Sequence, residues 1–341
     1  MREPLRLAVA SKGSYEDATA TFLEQAGLRL WRPNPRQYVG KLSGLPGVEV
    51  LFQRVEDIVH KVAEGTVDLG ITGYDLVAEH GDDDPNLLVV IEDLGFRRCE
   101  LVVAVPEGWL DIATVADLAD LSVALRRAGR TLRVATKFPN LTRAFFERHG
   151  VHYYALVDAH GALEAAPVLG YADIITDLSE SGVTLRDNRL RVLSGGVILR
   201  AQACLIASRR ELRADDDKLE RARAIIELIE ARLRTRDFRL VTANVQGDSP
   251  EAVARHVTAQ LETAGRQGPT IASVFPKGSG DDDSARWWAV TVIVPAERLL
   301  AAVDHLRRGG SSGITVQAPE YVFDGCSAAF ERLRTAVKER A

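Results

Sequence analysis

The residues best equipped for chemistry in this 341-residue chain form one stretch, Asp177-Leu-Ser-Glu-Ser-Gly-Val-Thr-Leu-Arg-Asp-Asn188. Asp177 and Glu180 stand three residues apart and are followed by Ser181, Gly182, Val183 and Thr184. Glycine lets backbone N–H groups come close to a phosphate, and the two hydroxyls add donors beside it. Phosphate repels the two carboxylates, so they need another partner: sugar hydroxyls or Mg²⁺. A site that takes both a diol and a phosphate suits a phosphorylated ribose. The same residues also fit an ordinary strand-to-helix turn, with Ser and Gly for geometry and acids for solvation.

Other stretches carry weaker signals. Ser11-Lys12-Gly13-Ser14 lies between a strand and a helix, where charge, backbone N–H groups and the helix dipole can hold an anion. A plain βα turn explains it equally well. Asp68-Leu-Gly-Ile-Thr72-Gly73-Tyr-Asp75 places two glycines after a strand, so a base or ribose can lie against the backbone, and its acids also suit helix caps. Arg54 ends a strand, as a ligand of anions or as a solvated side chain. Thr136 and Lys137 precede a helix start fit for phosphate, with Asn140 as a cap. His60, His80, His149, His152, His160, His256 and His305 show no HExxH pattern and no partnering cysteines, and no P-loop is present.

The elements that must position these residues alternate strand and helix. Strand signals at Leu5–Ala10, Val48–Val55, Val67–Thr72, Leu87–Ile91, Glu100–Val105, Leu132–Ala135, Tyr153–Val157 and Ala172–Thr176 are interleaved with amphipathic helices such as Tyr15–Ala26 and Glu56–Ala63. This predicts an α/β region over 1–236 with open sheets covered on both faces. Strands near 100–105 and 197–207 that cross back predict two lobes, the second over roughly 107–195, with a cleft between them. Leu219–Arg236 reads as a long helix. The run 237–323 has the order βαββαβ, a ferredoxin-like module whose first helix starts at Ser249-Pro250-Glu251 and ends near Gly265. It has a polar hairpin at 277–284, and 324–341 reads as an appended helix.

Composition bounds the class. Hydrophobic residues are 46% and charged residues 27%, ordinary for a globular protein, and a net charge of −5 without a basic stretch argues against nucleic acid. Cys99, Cys204 and Cys326 have no metal or redox spacing and suit a reducing compartment. Charges every few residues near the start leave no signal-peptide core, and no apolar run is long enough to cross a bilayer. A cytoplasmic location away from membranes is expected.

With these residues assembled, the chain resembles the ATP phosphoribosyltransferases in their long, regulated form. The markers are Ser11-Lys-Gly13, Arg54-Val-Glu-Asp-Ile58, Asp68–Asp75, Asp93-Leu-Gly-Phe96, Ala135-Thr-Lys-Phe-Pro-Asn-Leu141, Glu164-Ala-Ala-Pro167 and Asp177–Asn188. The resemblance implies a two-lobed catalytic region of the type II periplasmic-binding-protein kind and an ACT-like C-terminal domain. It implies phosphoribosyl pyrophosphate (PRPP) on Asp177, Glu180, Ser181, Gly182, Val183 and Thr184. ATP would meet Gly13, Arg54, Asp68, Thr72, Gly73 and Asp75. Lys12, Asp177 and Glu180 would carry the catalysis, with Mg²⁺ held mainly by substrate phosphates. Histidine would bind as inhibitor at Asn244, Thr270 and Ser273, and dimers would assemble into hexamers. Ser14 and Glu100 stand where the family usually has basic residues, with Arg97 and Arg98 as the basic residues that could compensate beside Glu100. Two other readings are a binding subunit that kept the cleft without catalysis, and prephenate dehydratase, whose Thr-Arg-Phe signature is broken here by Ala144.

Overall fold

The structure, a computed structural model, describes residues 3–34, 36–81, 84–158, 162–259, 268–275 and 286–339. Strands β1 (Leu5–Ala10), β2 (Leu30–Trp31), β3 (Val39–Leu42), β4 (Val48–Gln53), β5 (Leu69–Gly73) and β6 (Leu87–Ile91) are interspersed with helices α1 (Gly13–Gln25), α2 (Val55–Ala63) and α3 (Tyr74–His80). Next come β7 (Cys99–Pro106), α4 (Val115–Arg127), β8 (Leu132–Thr136), α5 (Pro139–Arg148), β9 (Tyr154–Asp158), α6 (Ala166–Leu169), β10 (Ile174–Ser179) and α7 (Val183–Asp187). The chain continues with β11 (Leu190–Ala201), β12 (Ala203–Ser208), α8 (Arg209–Ala214) and α9 (Asp216–Arg234). It ends with β13 (Phe238–Gln246), α10 (Pro250–Thr258), β14 (Thr270–Val274), β15 (Trp287–Pro295), α11 (Leu299–Arg308), β16 (Ser312–Gln317) and α12 (Ala328–Lys338). Two compact units result, one of residues 1–225 with 328–341, the other of 226–327.

The first unit holds two sheets. One runs β2-β3-β4-β1-β5-β12-β6, with β4, β1 and β5 parallel. Leu5, Leu7, Ala8 and Val9 are all fully buried, the continuous apolar run that a parallel strand covered on both faces requires. Ile58, Val59 and Val62 form the apolar stripe of α2 and pack on Ala8, Val67 and Ile206. The other sheet runs β11-β7-β10-β8-β9. Its faces are covered by separate cores, one around Val134, Phe146 and Ile174, the other around Leu163, Ile175 and Leu185. At the start of α4 a capping box between Thr114 and Asp117 satisfies N–H groups that the helix cannot pair internally.

Two chain crossings join the lobes and lie side by side. Leu94 N–H donates to the Ala203 carbonyl at 2.9 Å, and Ala203 N–H returns to Phe96 at 3.0 Å. Gln202 adds its side-chain amide to the Glu92 carbonyl at 2.9 Å. A double-stranded hinge of this kind resists twisting more than a single linker, and it fixes where the two sheet edges face each other. The two-lobed α/β architecture expected from the strand–helix alternation is therefore present. One local expectation is corrected: β10 runs through Asp177 to Ser179, so Asp177 is a strand residue and only the turn after it is a loop. α12 folds onto β6 and α8, burying Phe330, Leu333 and Val337.

The second unit is an antiparallel sheet β14-β15-β13-β16 with α10 and α11 packed through Val241, Ala243, Val253, Val257, Val292 and Leu306. The order βαββαβ is observed, and Ser249 caps α10 by accepting from Ala252 N–H at 3.2 Å. The expected end of that helix near Gly265 and the 277–284 hairpin lie outside the described residues.

Candidate active site

The acid-and-hydroxyl stretch lines a pocket of about 400 Å³ on the second lobe. Alternation along β10 buries Ile175 in the core and brings Asp177 to the rim on the same face. Gly182 then takes φ +70°, turning the chain so that α7 starts at Val183. Its N–H donates to Ser179 Oγ at 3.1 Å, which holds the turn closed. Ser181 and Thr184 stay exposed beside the pocket, with their hydroxyls open to a ligand. Asp177 accepts from Leu178 N–H at 2.8 Å. Burial pushes its carboxyl up to about 6; Glu164 adds to the rise, while the Leu178 N–H and Lys137 oppose it. Glu164 lines the same pocket, from a short 3₁₀ turn at Leu163–Ala165.

The first lobe contributes the carboxyl ends of its parallel strands. β1 pairs with β4 so that Ala10 lies opposite Gln53, and Ser11 N–H donates to the Gln53 carbonyl at 2.8 Å. Lys12 follows β1, Arg54 follows β4, and Gly73 ends β5, so all three share one sheet edge. This is where open α/β sheets bind ligands. Lys12 and Arg54 are both exposed, each at the N-cap of the helix that follows. Gly13 takes φ +73° as α1 begins. A Cβ on Gly73 would stand 2.2 Å from Asp75 Oδ1, so a larger residue there would displace that carboxylate. Asp75 is buried, and burial raises its carboxyl pKa, partly offset by N–H groups of α3 and by Arg97.

Two expected ATP ligands are corrected. Asp68 precedes β5 and so lies at the opposite edge from Lys12, beside Arg6 on the neighbouring strand. It is fully buried, accepting from Arg6 N–H at 2.6 Å and from Lys218 Nζ at 3.0 Å. Thr72 is also fully buried, and its hydroxyl donates to the Val55 carbonyl at 3.1 Å. Both side chains serve the fold. The α5 start, where Thr136 and Lys137 suggested a phosphate, is filled as well. Glu79 of α3 accepts from Asn140 N–H at 2.8 Å and Leu141 N–H at 3.0 Å, a carboxylate capping the helix of the opposite lobe.

Arg97 ties the two half-sites together. Its Nη1 lies 2.7 Å from Glu180 and donates to Ser14 Oγ at 3.3 Å, while the guanidinium sits 5.5 Å from the centre of the Tyr15 ring. Burial raises the Tyr15 hydroxyl pKa and pushes the nearby Cys99 thiol up to about 11. A protonated thiol is no nucleophile. Glu79 and Tyr15 were missed as site residues by sequence reasoning, and Arg97 entered it only beside Arg98, as compensation for Glu100. The Arg97-Arg98 doublet beside Cys99 was the only local signal, and nothing local marks Glu79. Glu79→Ala is expected to cost about 1–3 kcal/mol in stability by stranding two N–H groups, and to raise the KM for both substrates as the lobes lose register. Melting curves and initial rates check this; an unchanged KM would confine Glu79 to the fold.

In the second unit, strand parity separates the three residues expected to meet histidine. Asn244 alternates with buried Ala243 and Val245, and Thr270 pairs with Thr291, which puts both on the face away from α10 and α11. Ser273 pairs with Trp288, whose ring packs into the helix-side core. Thr270 and Ser273 therefore point to opposite faces of β14, the outer strand, so a ligand lying flat on one face of the sheet meets only one of the two side chains.

Two lobes on a double hinge, with an acid-and-hydroxyl pocket facing a cationic strand-end edge, define a cleft enzyme that handles a phosphorylated sugar. Residues 54–234 match the ATP phosphoribosyltransferase family and residues 235–319 the HisG C-terminal domain. The chain is 40% identical over 324 residues to ATP phosphoribosyltransferase 2, chloroplastic, of Arabidopsis thaliana, covering 94% of this chain and 78% of that protein. It is 38% identical over 340 residues to the ATP phosphoribosyltransferase of Nitrobacter winogradskyi, covering 99% and 100%. The ATP phosphoribosyl transferase (HisG:HisZ) complex from Thermotoga maritima shares the fold at TM-score 0.51 and 24% identity, over 66% of this chain and 98% of that one. The chain belongs to the ATP phosphoribosyltransferase family.

Proposed function

We propose that this protein transfers the phosphoribosyl group of PRPP to N1 of ATP, releasing pyrophosphate, in the first step of histidine biosynthesis. The observation that carries the reading is the Asp177–Thr184 pocket facing the Lys12–Arg54–Gly73 edge, in a chain with family relatives over nearly its full length. A bond forms between adenine N1 and the ribose C1 as the C1–oxygen bond to pyrophosphate breaks. Positive charge builds on the ribose and negative charge on the leaving group, so catalysis is positioning and electrostatics. Asp177 and Glu180 accept from the ribose hydroxyls, and Ser181, Gly182, Val183 and Thr184 hold the 5′-phosphate. Lys12 neutralises pyrophosphate, while Gly13, Arg54, Gly73 and Asp75 receive ATP. Adenine N1 is already a nucleophile, so no general base is required.

Among the described residues no three His, Cys, Asp or Glu side chains converge to hold a metal ion. Mg²⁺ in this reading arrives on the substrate phosphates, which with water supply most of its ligands. Feedback inhibition by histidine on the C-terminal unit, with Asn244 and Thr270 on one sheet face, belongs to the same proposal. So do assembly of dimers into hexamers and a cytoplasmic location. An apolar groove of about 1030 Å³ at the β2–β3 edge, with exposed Trp31, Tyr38 and Val39, supports self-association. No helix among the described residues is long and apolar enough to cross a membrane.

Pyrophosphate release from ATP plus PRPP with Mg²⁺ tests the reaction, and millimolar-scale histidine tests the regulation. Release suppressed by histidine is expected. Release indifferent to histidine would remove the regulatory assignment, and no release from folded protein would remove the enzyme.

A further inference from the structure

We infer that Arg97 is a positioning residue that trades Glu180 for an anionic oxygen of the substrate, freeing Glu180 for the ribose; this rests on the reaction proposed above. Three features single it out. First, Arg97 takes φ +56°, a left-handed conformation that a side chain with a Cβ adopts only when the surroundings hold it there. That backbone turn throws the guanidinium from the hinge into the cleft. Second, Arg97 stands over the α1 start on one lobe and reaches Glu180 on the other. Third, its bonding is incomplete. Nη1 serves both Glu180 and Ser14, whereas Nε is buried and has no protein partner among the described residues. The Tyr15 hydroxyl beneath it is buried and unpartnered in the same sense. Arg97 lines the Asp177–Thr184 pocket, and an orphaned donor there calls for an acceptor from outside the protein.

The chemistry of the present pairing favours exchange. The Arg97–Glu180 contact is made through Nη1, so the guanidinium fork is not filled as it is in a bidentate pair. The Glu180 side chain is 53% exposed, and an ion pair so open to water contributes little. A phosphate oxygen carries more charge and accepts from Nε and Nη together. Ser14 Oγ and the Tyr15 ring remain to hold the guanidinium when it lets go of Glu180. Without the exchange, the carboxylate assigned to the ribose stays engaged with arginine. The competing account is a static strap, in which the ion pair only fastens hinge to lobe and both partners matter alike.

Calorimetric titration of the full chain with inorganic pyrophosphate separates the two. The exchange predicts opposite signs: Arg97→Met weakens pyrophosphate binding by about tenfold or more, whereas Glu180→Gln tightens it, because the competing carboxylate is neutralised. The double variant should match Arg97→Met, and Arg97→Lys should recover charge but only part of the affinity. A wild type that binds no pyrophosphate, or Arg97→Met and Glu180→Gln changing affinity in the same direction or not at all, would overturn the exchange. Initial rates keep the two proposals apart. The opposite-sign pattern without turnover of ATP and PRPP would leave the exchange standing and sink the reaction. Turnover with unaltered KM values in Arg97→Met would do the reverse.

Discussion

Asp177→Asn should give a protein that is nearly inert yet more heat-stable at pH 7. The carboxyl is pushed up to about 6 mainly by burial, which means that folding opposes its ionisation. The folded carboxyl keeps its proton up to about pH 6, whereas the unfolded one releases it near the ordinary value of 3.8. Between those values folding takes up a proton, so the fold weakens as pH rises through the window. Above pH 6 the whole cost is present, and below about pH 4 it is gone. Water in the open pocket screens part of it, leaving about 1–2 kcal/mol, or roughly 3–6 °C in melting temperature, for asparagine to recover. Asparagine keeps the bond from Leu178 N–H but meets the ribose hydroxyls without charge, and kcat/KM should fall by about 10²–10³. Wild-type kcat/KM should itself decline as pH drops below about 6, as Asp177 takes up its proton. Melting curves from pH 5 to 8 and pH–rate profiles of both proteins decide it. A variant that is less stable at pH 7, or still active, would return Asp177 to an ordinary structural role.

Asp68→Ala should do the opposite, leaving the chemistry and undermining the fold. Asp68 is fully exchanged from water into a buried network: Arg6 N–H and guanidinium on one side, Lys218 Nζ at 3.0 Å on the other. Lys218 is itself only 2% exposed. Its remaining acids are more distant, Glu3 at 3.6 Å and Glu211 at 3.8 Å. Removing Asp68 strands a buried ammonium, and breaking such a pair costs about 3–5 kcal/mol, or about 10 °C in a unit of this size. The KM for ATP measured well below the new melting temperature should stay within about twofold, since the carboxylate lies at the far edge of the sheet from Lys12. Asp68→Asn with Lys218→Met, which leaves no unpaired charge, should recover much of the loss. A tenfold rise in the ATP KM at unchanged stability would put Asp68 back in the site.

Much of the fold was legible locally. Apolar runs marked the buried strands, the amphipathic pattern of Glu56–Ala63 marked α2, and Ser249-Pro250 marked a helix start. Each of these signals is a period or a cap, and both act over a few residues of contiguous chain. The odd separation of Thr270 and Ser273 was legible too, since a strand sends residues three apart to opposite faces.

What the sequence by itself determined is the inventory: two lobes built from alternating strands and helices, a βαββαβ module, and an acid-and-hydroxyl turn with the chemistry of a phosphoribosyl site. Only the tertiary structure decided which groups face one another. Asp68 and Asp75 stand at either end of β5, so strand direction sends one to a buried ion cluster and the other to the cleft. Glu79 has meaning only against α5 of the other lobe, and Arg97 only against Ser14, Tyr15 and Glu180. Such contacts join residues far apart in the chain, and their energies depend on burial and on charges that no local pattern encodes.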